Sequence, residues 1–113
     1  MKPTWMRRPV IVAAMSAAVC GVQAQPNEQQ VLRARSLAAT CAQCHGTAGR
    51  ALAGAAVPGL AGLPAGYLVE QMKAFKNGGR LATVMPQIAK GYSDAQIEQL
   101  AAYFSAQKIE APR

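Results

Sequence analysis

Five consecutive residues, Cys41, Ala42, Gln43, Cys44 and His45, constrain this chain more than anything else in it. Two thiols three positions apart share one side of a helical turn, and an imidazole follows the second directly. Such a segment can close a tight disulfide, act as a redox dithiol, supply part of a zinc site, or hold a haem. The disulfide and dithiol readings leave the histidine without a role. A thioredoxin-like dithiol also needs a β–α–β setting. A structural zinc site needs four ligands, and the chain offers no second cluster of cysteine and histidine. Haem attachment uses all three side chains: each sulfur adds to one vinyl group along an edge of the porphyrin, and the imidazole binds the iron. C-x-x-C-H is the signature of that arrangement.

The compartment agrees. Lys2, Arg7 and Arg8 give a basic start, Val10 to Cys20 is an apolar run of eleven, and Val22 and Ala24 occupy the positions a signal peptidase reads. This pattern predicts a secretory signal over residues 1–24, cleaved after Ala24, and a periplasmic protein. The run is too short for the ~20 residues of a membrane span, and Ala17 and Val19 fit lipidation at Cys20 poorly. Cleavage leaves residues 25–113 as one small domain, read as a mono-haem unit. Its nine basic and five acidic residues give +4, a modest bias that excludes the dense basic patch of a nucleic-acid binder. A domain of this size is close to the limit of what a core alone stabilises. It is rich in alanine and glycine, with only Tyr67, Phe75, Tyr92, Tyr103 and Phe104 as large aromatics. A porphyrin would supply the missing centre.

The chain reads as all-α, with three main helices joined by long loops. From about Gln29 to Cys41 the residues are good helix formers, and Val31, Ala34, Ala38 and Cys41 fall on one stripe. Gly46 stops that helix. Residues 46–63 hold five glycines and one proline without a sustained period, a loop long enough to wrap something. Pro64 suits the first turn of a second helix carrying Leu68, Met72 and Phe75, closed by the glycines after Asn77. Residues 80–92, broken by Pro86 and Gly91, read as a loop. Ser93 with Gln96 forms a capping-box pattern ahead of an apolar stripe of Ile97, Leu100, Ala101 and Phe104.

His45 is the only histidine, so a sixth iron ligand must be methionine, water or something rarer. After cleavage two methionines remain. Met72 lies on the apolar stripe of a helix and reads as core filler. Met85 lies in an irregular segment beside Pro86, where a loop can bring its thioether across the opposite haem face. The competing reading is a surface or core methionine over an open, five-coordinate iron. Among the basic residues Arg80 is either solvated or a partner for a haem propionate. The rim of Ala51, Leu52, Ala53, Ala55 and Ala56 either packs on the haem or forms a docking patch.

The segments "CAQCHGTAG", "VPGLAGLPAGYLVEQMKAFKNGGR" and "VMPQIAKGYSDAQIEQLAAYF" resemble class I c-type cytochromes of the c553/c4-like group, from about Gln29 to Gln107. "IAKGYS" preceded by "TVM" resembles more closely the cytochrome subunit of flavocytochrome c sulfide dehydrogenase; many c553 relatives carry leucine at the position of Tyr92. The resemblance implies a cytochrome c-like fold wrapped around one haem c, bound covalently through Cys41 and Cys44. In it the first and last helices pack together, with Ala34, Ser36 and Ala38 as the small candidates for the crossing. It further implies that the carbonyl of Pro58 accepts a hydrogen bond from the second ring nitrogen of His45, with iron held by His45 and Met85. The expected function is one-electron transfer rather than catalysis at the metal. The protein is then a haem subunit accepting electrons from an FAD-containing sulfide dehydrogenase subunit. The alternatives are a diffusing shuttle to a terminal oxidase or reductase, and a five-coordinate, ligand-binding haem protein.

Overall fold

The computed structural model describes residues 26–109; the expected signal segment lies outside them. Five α-helices and one 3-10 turn follow each other along the chain: α1 (Pro26–Ala39), α2 (Ala42–His45), the turn Thr47–Gly49, α3 (Ala65–Asn77), α4 (Met85–Lys90) and α5 (Asp94–Ser105). Among the described residues there is no strand.

The first helix begins earlier than expected, at Pro26 rather than about Gln29. Proline fits there because a first-turn N–H has no intrahelical partner to lose, and Glu28 favours the positive N-terminal end. Only the far end of α1 is covered. Ala38 is 4% exposed, while Val31 is 51% exposed and so leaves the expected stripe. Ala38 packs with Leu68, Leu100, Ala101 and Phe104 in the central cluster, which joins α1, α3 and α5. The first and last helices therefore do meet, and Ala38 is the small residue buried where they do. Ser36 stays exposed and turns its hydroxyl onto the carbonyl of Leu32, 2.9 Å away.

The last helix follows the sequence closely. Ser93 accepts from the Gln96 amide while the Gln96 side chain accepts from the Ser93 amide, so two otherwise orphaned N–H groups are satisfied. Ile97, Leu100, Ala101 and Phe104 are all buried. Burying a side chain the size of Phe104 stabilises the fold by about 1.5–3 kcal/mol. The third helix is likewise as expected, with Leu68 and Phe75 buried, Met72 half-buried, and Gly78 closing it in the left-handed conformation.

The segment read as a loop over 80–92 differs. Met85–Lys90 is a helix, packed on α3 with Ala89 fully buried. Pro86 was read as a breaker, yet it stands in the first turn, where proline removes no helical hydrogen bond. Gly91 ends the helix, its N–H donating to the carbonyl of Ile88 at 3.0 Å.

Lys76 ties α3 to the corner between α4 and α5. Its ammonium donates to the Tyr92 carbonyl at 2.8 Å and to Asp94 Oδ1 at 2.9 Å, and Lys73 stands 3.7 Å from the same carboxylate. The hydrogen bond from Lys76, then the charges of Lys76 and Lys73, hold the Asp94 carboxyl below the usual carboxylate range.

Candidate functional site

The C-x-x-C-H segment straddles the break between α1 and α2. The first helix stops at Ala39, and Thr40 and Cys41 form a turn. The carbonyl of Cys41 then accepts from both Cys44 N (3.3 Å) and His45 N (2.9 Å), winding the five residues into one tight coil. Both thiols are free, Cys41 half-buried and Cys44 exposed. Burial pushes the Cys41 thiol up, against a smaller opposite pull from the Thr40 hydroxyl and its own backbone. A redox dithiol depends on a lowered thiol pKa, so the shift runs against that reading. Among the described residues no three side chains of the His, Cys, Asp and Glu types converge as metal donors, which leaves a structural zinc site without its ligand set.

His45 is 9% exposed, and its Nδ1 lies 2.7 Å from the carbonyl oxygen of Pro58. A carbonyl can only accept, so Nδ1 carries a proton and Nε2 is the ring nitrogen left to bind a metal. A hydrogen bond on the far nitrogen is the usual means of orienting a metal-binding histidine.

The loop of residues 46–63 carries Pro58 back to His45, and glycine makes the return possible. Gly46 has φ +82° and ψ 160°, a region open essentially to glycine alone. A Cβ there would stand 2.1 Å from the Arg50 carbonyl oxygen. Gly49, buried, accepts from Leu60 N at 2.7 Å and Ala61 N at 3.1 Å. A Cβ on it would meet the Phe104 ring at 2.8 Å. Gly62 N donates to the Phe104 carbonyl at 2.9 Å, and Arg50 Nε to the Lys108 carbonyl at 3.0 Å. Between them Ala48 sits at φ +55°, which costs a non-glycine residue about 1–2 kcal/mol. The bonds from the loop to the end of α5 offset that cost.

Met85 is half-buried at the first position of α4. That helix packs on α3, whereas α2 packs on α1 and the 3-10 turn, so the helices carrying His45 and Met85 rest on different neighbours. The exposed Arg80 holds its guanidinium 4.7 Å from the Phe75 ring centroid and donates to Gln71 Oε1.

The residues present fit a haem. Leu52, Leu81, Val84, Ile88 and Tyr67 are large apolar or aromatic side chains that the polypeptide leaves 42–93% exposed. All belong to the stretch between the histidine and the end of α4. The core is thin: among the described residues Ile97 is the largest side chain under 2% exposure. Large apolar side chains left uncovered by the polypeptide, two free thiols, a backbone-oriented imidazole and a thioether are the groups a porphyrin would use. The sequence names Cys41, Cys44, His45, Pro58 and Met85 as candidates; it does not mark Gly49, Thr40 and Lys76, whose contacts hold the surrounding segments. Their partners are distant in the chain and leave no local pattern.

A helical domain presenting an imidazole behind paired thiols defines a class: proteins that carry haem on a C-x-x-C-H segment. Residues 32–104 match the family described as cytochrome c oxidase, cbb3-type, subunit III. The cytochrome subunit of sulfide dehydrogenase from Chlorobaculum tepidum is 35% identical over 99 residues, covering 85% of this chain and 88% of that one. The thiosulfate dehydrogenase electron acceptor of Thiomonas intermedia is 45% identical over 71 residues, 63% of this chain and 33% of that protein. The chain thus spans about a third of the length of the Thiomonas relative. A cytochrome c4 structure from Acidithiobacillus ferrooxidans superposes with a TM-score of 0.63 at 32% identity, covering 68% of this chain and 49% of that one. The chain belongs to the cytochrome c family, whose cofactor is haem c. Among the described residues no helix is long and apolar enough to cross a membrane.

Proposed function

We propose that this protein is a periplasmic one-electron carrier holding a single haem through thioether bonds at Cys41 and Cys44, with His45 and Met85 as the two axial ligands. The observation that carries the reading is the 2.7 Å bond from His45 Nδ1 to the Pro58 carbonyl, which orients the ring and leaves Nε2 as the nitrogen for iron. When bound, haem c supplies one-electron redox chemistry; the chain decides how. The Pro58 carbonyl raises the basicity of His45 and fixes the plane of its ring. The soft thioether of Met85 favours the ferrous state, and apolar side chains such as Leu52, Leu81 and Val84 exclude water and penalise the extra ferric charge. With His45 and Met85 both given to the iron, the chain would leave substrate no place at the metal, which favours electron transfer over catalysis.

The physiological donor in this reading is an enzyme that oxidises an inorganic sulfur compound. Both relatives bear names of that kind, and the sulfide dehydrogenase subunit is matched along most of its length. An FAD-bearing sulfide-oxidising subunit is therefore the partner we infer, with this chain as its haem subunit. The name "electron acceptor" on the Thiomonas relative favours a second reading, a diffusing carrier without a stable partner.

The ligation is tested on the purified holoprotein by absorption spectroscopy. The ferric wild type should show the weak far-red band of sulfur–iron coordination; Met85→Ala should lose it and bind carbon monoxide when reduced, while Met72→Leu should keep it. Retention of the band in Met85→Ala would exclude Met85. Recovery of a stable flavoprotein complex from periplasm supports the subunit reading, and a monomer reduced only in transient encounters supports the shuttle.

A further inference from the structure

The segment that carries Met85 ends at a side chain that reaches across the molecule. Tyr92 follows α4 directly, its N–H donating to the Ala89 carbonyl at 3.2 Å and its own carbonyl accepting from Lys76 of α3 at 2.8 Å. Its phenolic oxygen lies 2.7 Å from Thr40 Oγ1, and Thr40 immediately precedes Cys41. The Thr40 hydroxyl has one hydrogen, and at 3.1 Å it is directed to the Leu37 carbonyl, which can only accept. The two hydroxyls therefore share one hydrogen bond, and when the Thr40 hydrogen goes to the Leu37 carbonyl it is Tyr92 that donates. The ring is half-buried and packs on the central cluster, as Leu37 and Cys41 also do, so the hydroxyl pair is backed by apolar contact.

We infer that Tyr92 is a positioning residue for the methionine ligand: through Thr40 it fastens the Met85-bearing helix to the start of the haem-binding segment. The inference rests on Met85 being the iron ligand. The six-residue helix α4 is a short lever with Met85 at one end and Tyr92 just beyond the other. Its packing partner is α3, not α2, and Tyr92 supplies the side-chain hydrogen bond from this corner to the turn before Cys41. Tethering the lever near its far end narrows where the thioether can stand. A net hydrogen bond of about 1 kcal/mol corresponds to about a fivefold change in an equilibrium constant. The equilibrium at stake is between Met85 on and off the iron.

The test uses ferric holoprotein and imidazole as a competing ligand, with affinity read from the loss of the sulfur–iron band. Tyr92→Phe and Thr40→Val should each bind imidazole about fivefold more tightly than wild type, and the double variant no more tightly than either one. Ile97→Val, which loosens the buried face of α5 without touching the hydroxyl pair, should leave the affinity unchanged. Equal affinity in Tyr92→Phe and wild type, or an Ile97→Val effect as large as that of Tyr92→Phe, would overturn the inference while leaving Met85 as ligand. A Met85→Ala protein that keeps the sulfur band would overturn the ligation and the inference together.

Discussion

The imidazole side and the thioether side of this molecule are held by different means. Around His45 the fixing is done by backbone: a carbonyl from Pro58, amides from Leu60 and Ala61 onto Gly49, an amide from Gly62 onto Phe104. Around Met85 it is done by side chains, with Lys76 and Tyr92 gripping the corner behind α4. Backbone bonds survive most substitutions but demand glycine where chains approach closely. Side-chain bonds can be exchanged one residue at a time. The histidine side should therefore be brittle toward a few changes, and the methionine side adjustable by many.

The largest effect falls on the brittle side. Gly46→Ala puts a methyl into the Arg50 carbonyl and forces alanine into a glycine-only conformation, so stability should drop by about 3 kcal/mol or more in urea denaturation. Gly78→Ala makes the control. Its glycine also has positive φ (+80°), but nothing lies within 4 Å of the added carbon, so the loss should stay near the conformational cost of about 1–2 kcal/mol. Similar losses at the two positions would show that crowding at the histidine loop does not matter.

A middle-sized effect separates covered from uncovered surface. Val31 and Val84 are 51% and 56% exposed on the polypeptide. Serine at Val31 should cost holoprotein within about 0.5 kcal/mol, as at an ordinary surface site. Serine at Val84 should cost about 1–2 kcal/mol if haem covers that valine, and should lower the reduction potential by admitting water. Equal costs would remove Val84 from the haem wall.

The smallest effect concerns Asp94. Its carboxyl titrates below the usual range because Lys76 and Lys73 favour the charged form, so the unfolded chain binds a proton first as pH falls. The ion pairs therefore stabilise the fold fully above the ordinary carboxylate range. That contribution is lost as pH drops through the lower folded-state value. Acid unfolding of Asp94→Asn should show a slightly less stable protein at neutral pH and no difference at the acid end. A difference that persists there would point to lost helix capping instead.

What could be read in the sequence was local. The capping box at Ser93 and Gln96, the glycine closing α3 and the spacing of Cys41, Cys44 and His45 all lie within a few residues, and each is found where expected. Helix α4 was missed because Pro86 reads as a breaker unless the helix is known to start one residue before it. The exposed Val31 was misplaced because a stripe on α1 says which residues share a face, not how far the covering helix extends. Nothing local marks Gly49 among the five glycines of its loop, since its steric partner is Phe104. Nor does anything local pair Thr40 with Tyr92, 52 positions away. The Pro58 contact was foreseen through resemblance alone, because any carbonyl in a wrapping loop could have met the ring.

The loop behind His45 is anchored to the last helix, through Phe104 and, 58 positions from Arg50, through Lys108. This has a consequence for biogenesis. A chain in which α5 has not yet formed has nothing against which to fasten that loop, so the ring of His45 stays unaligned until Phe104 and Lys108 are in place. Closing so distant a contact is among the slower events of folding. Maturation of the cytochrome is thereby tied to the docking of α5, and a truncation ahead of Phe104 would leave histidine and cysteines in place yet without their frame.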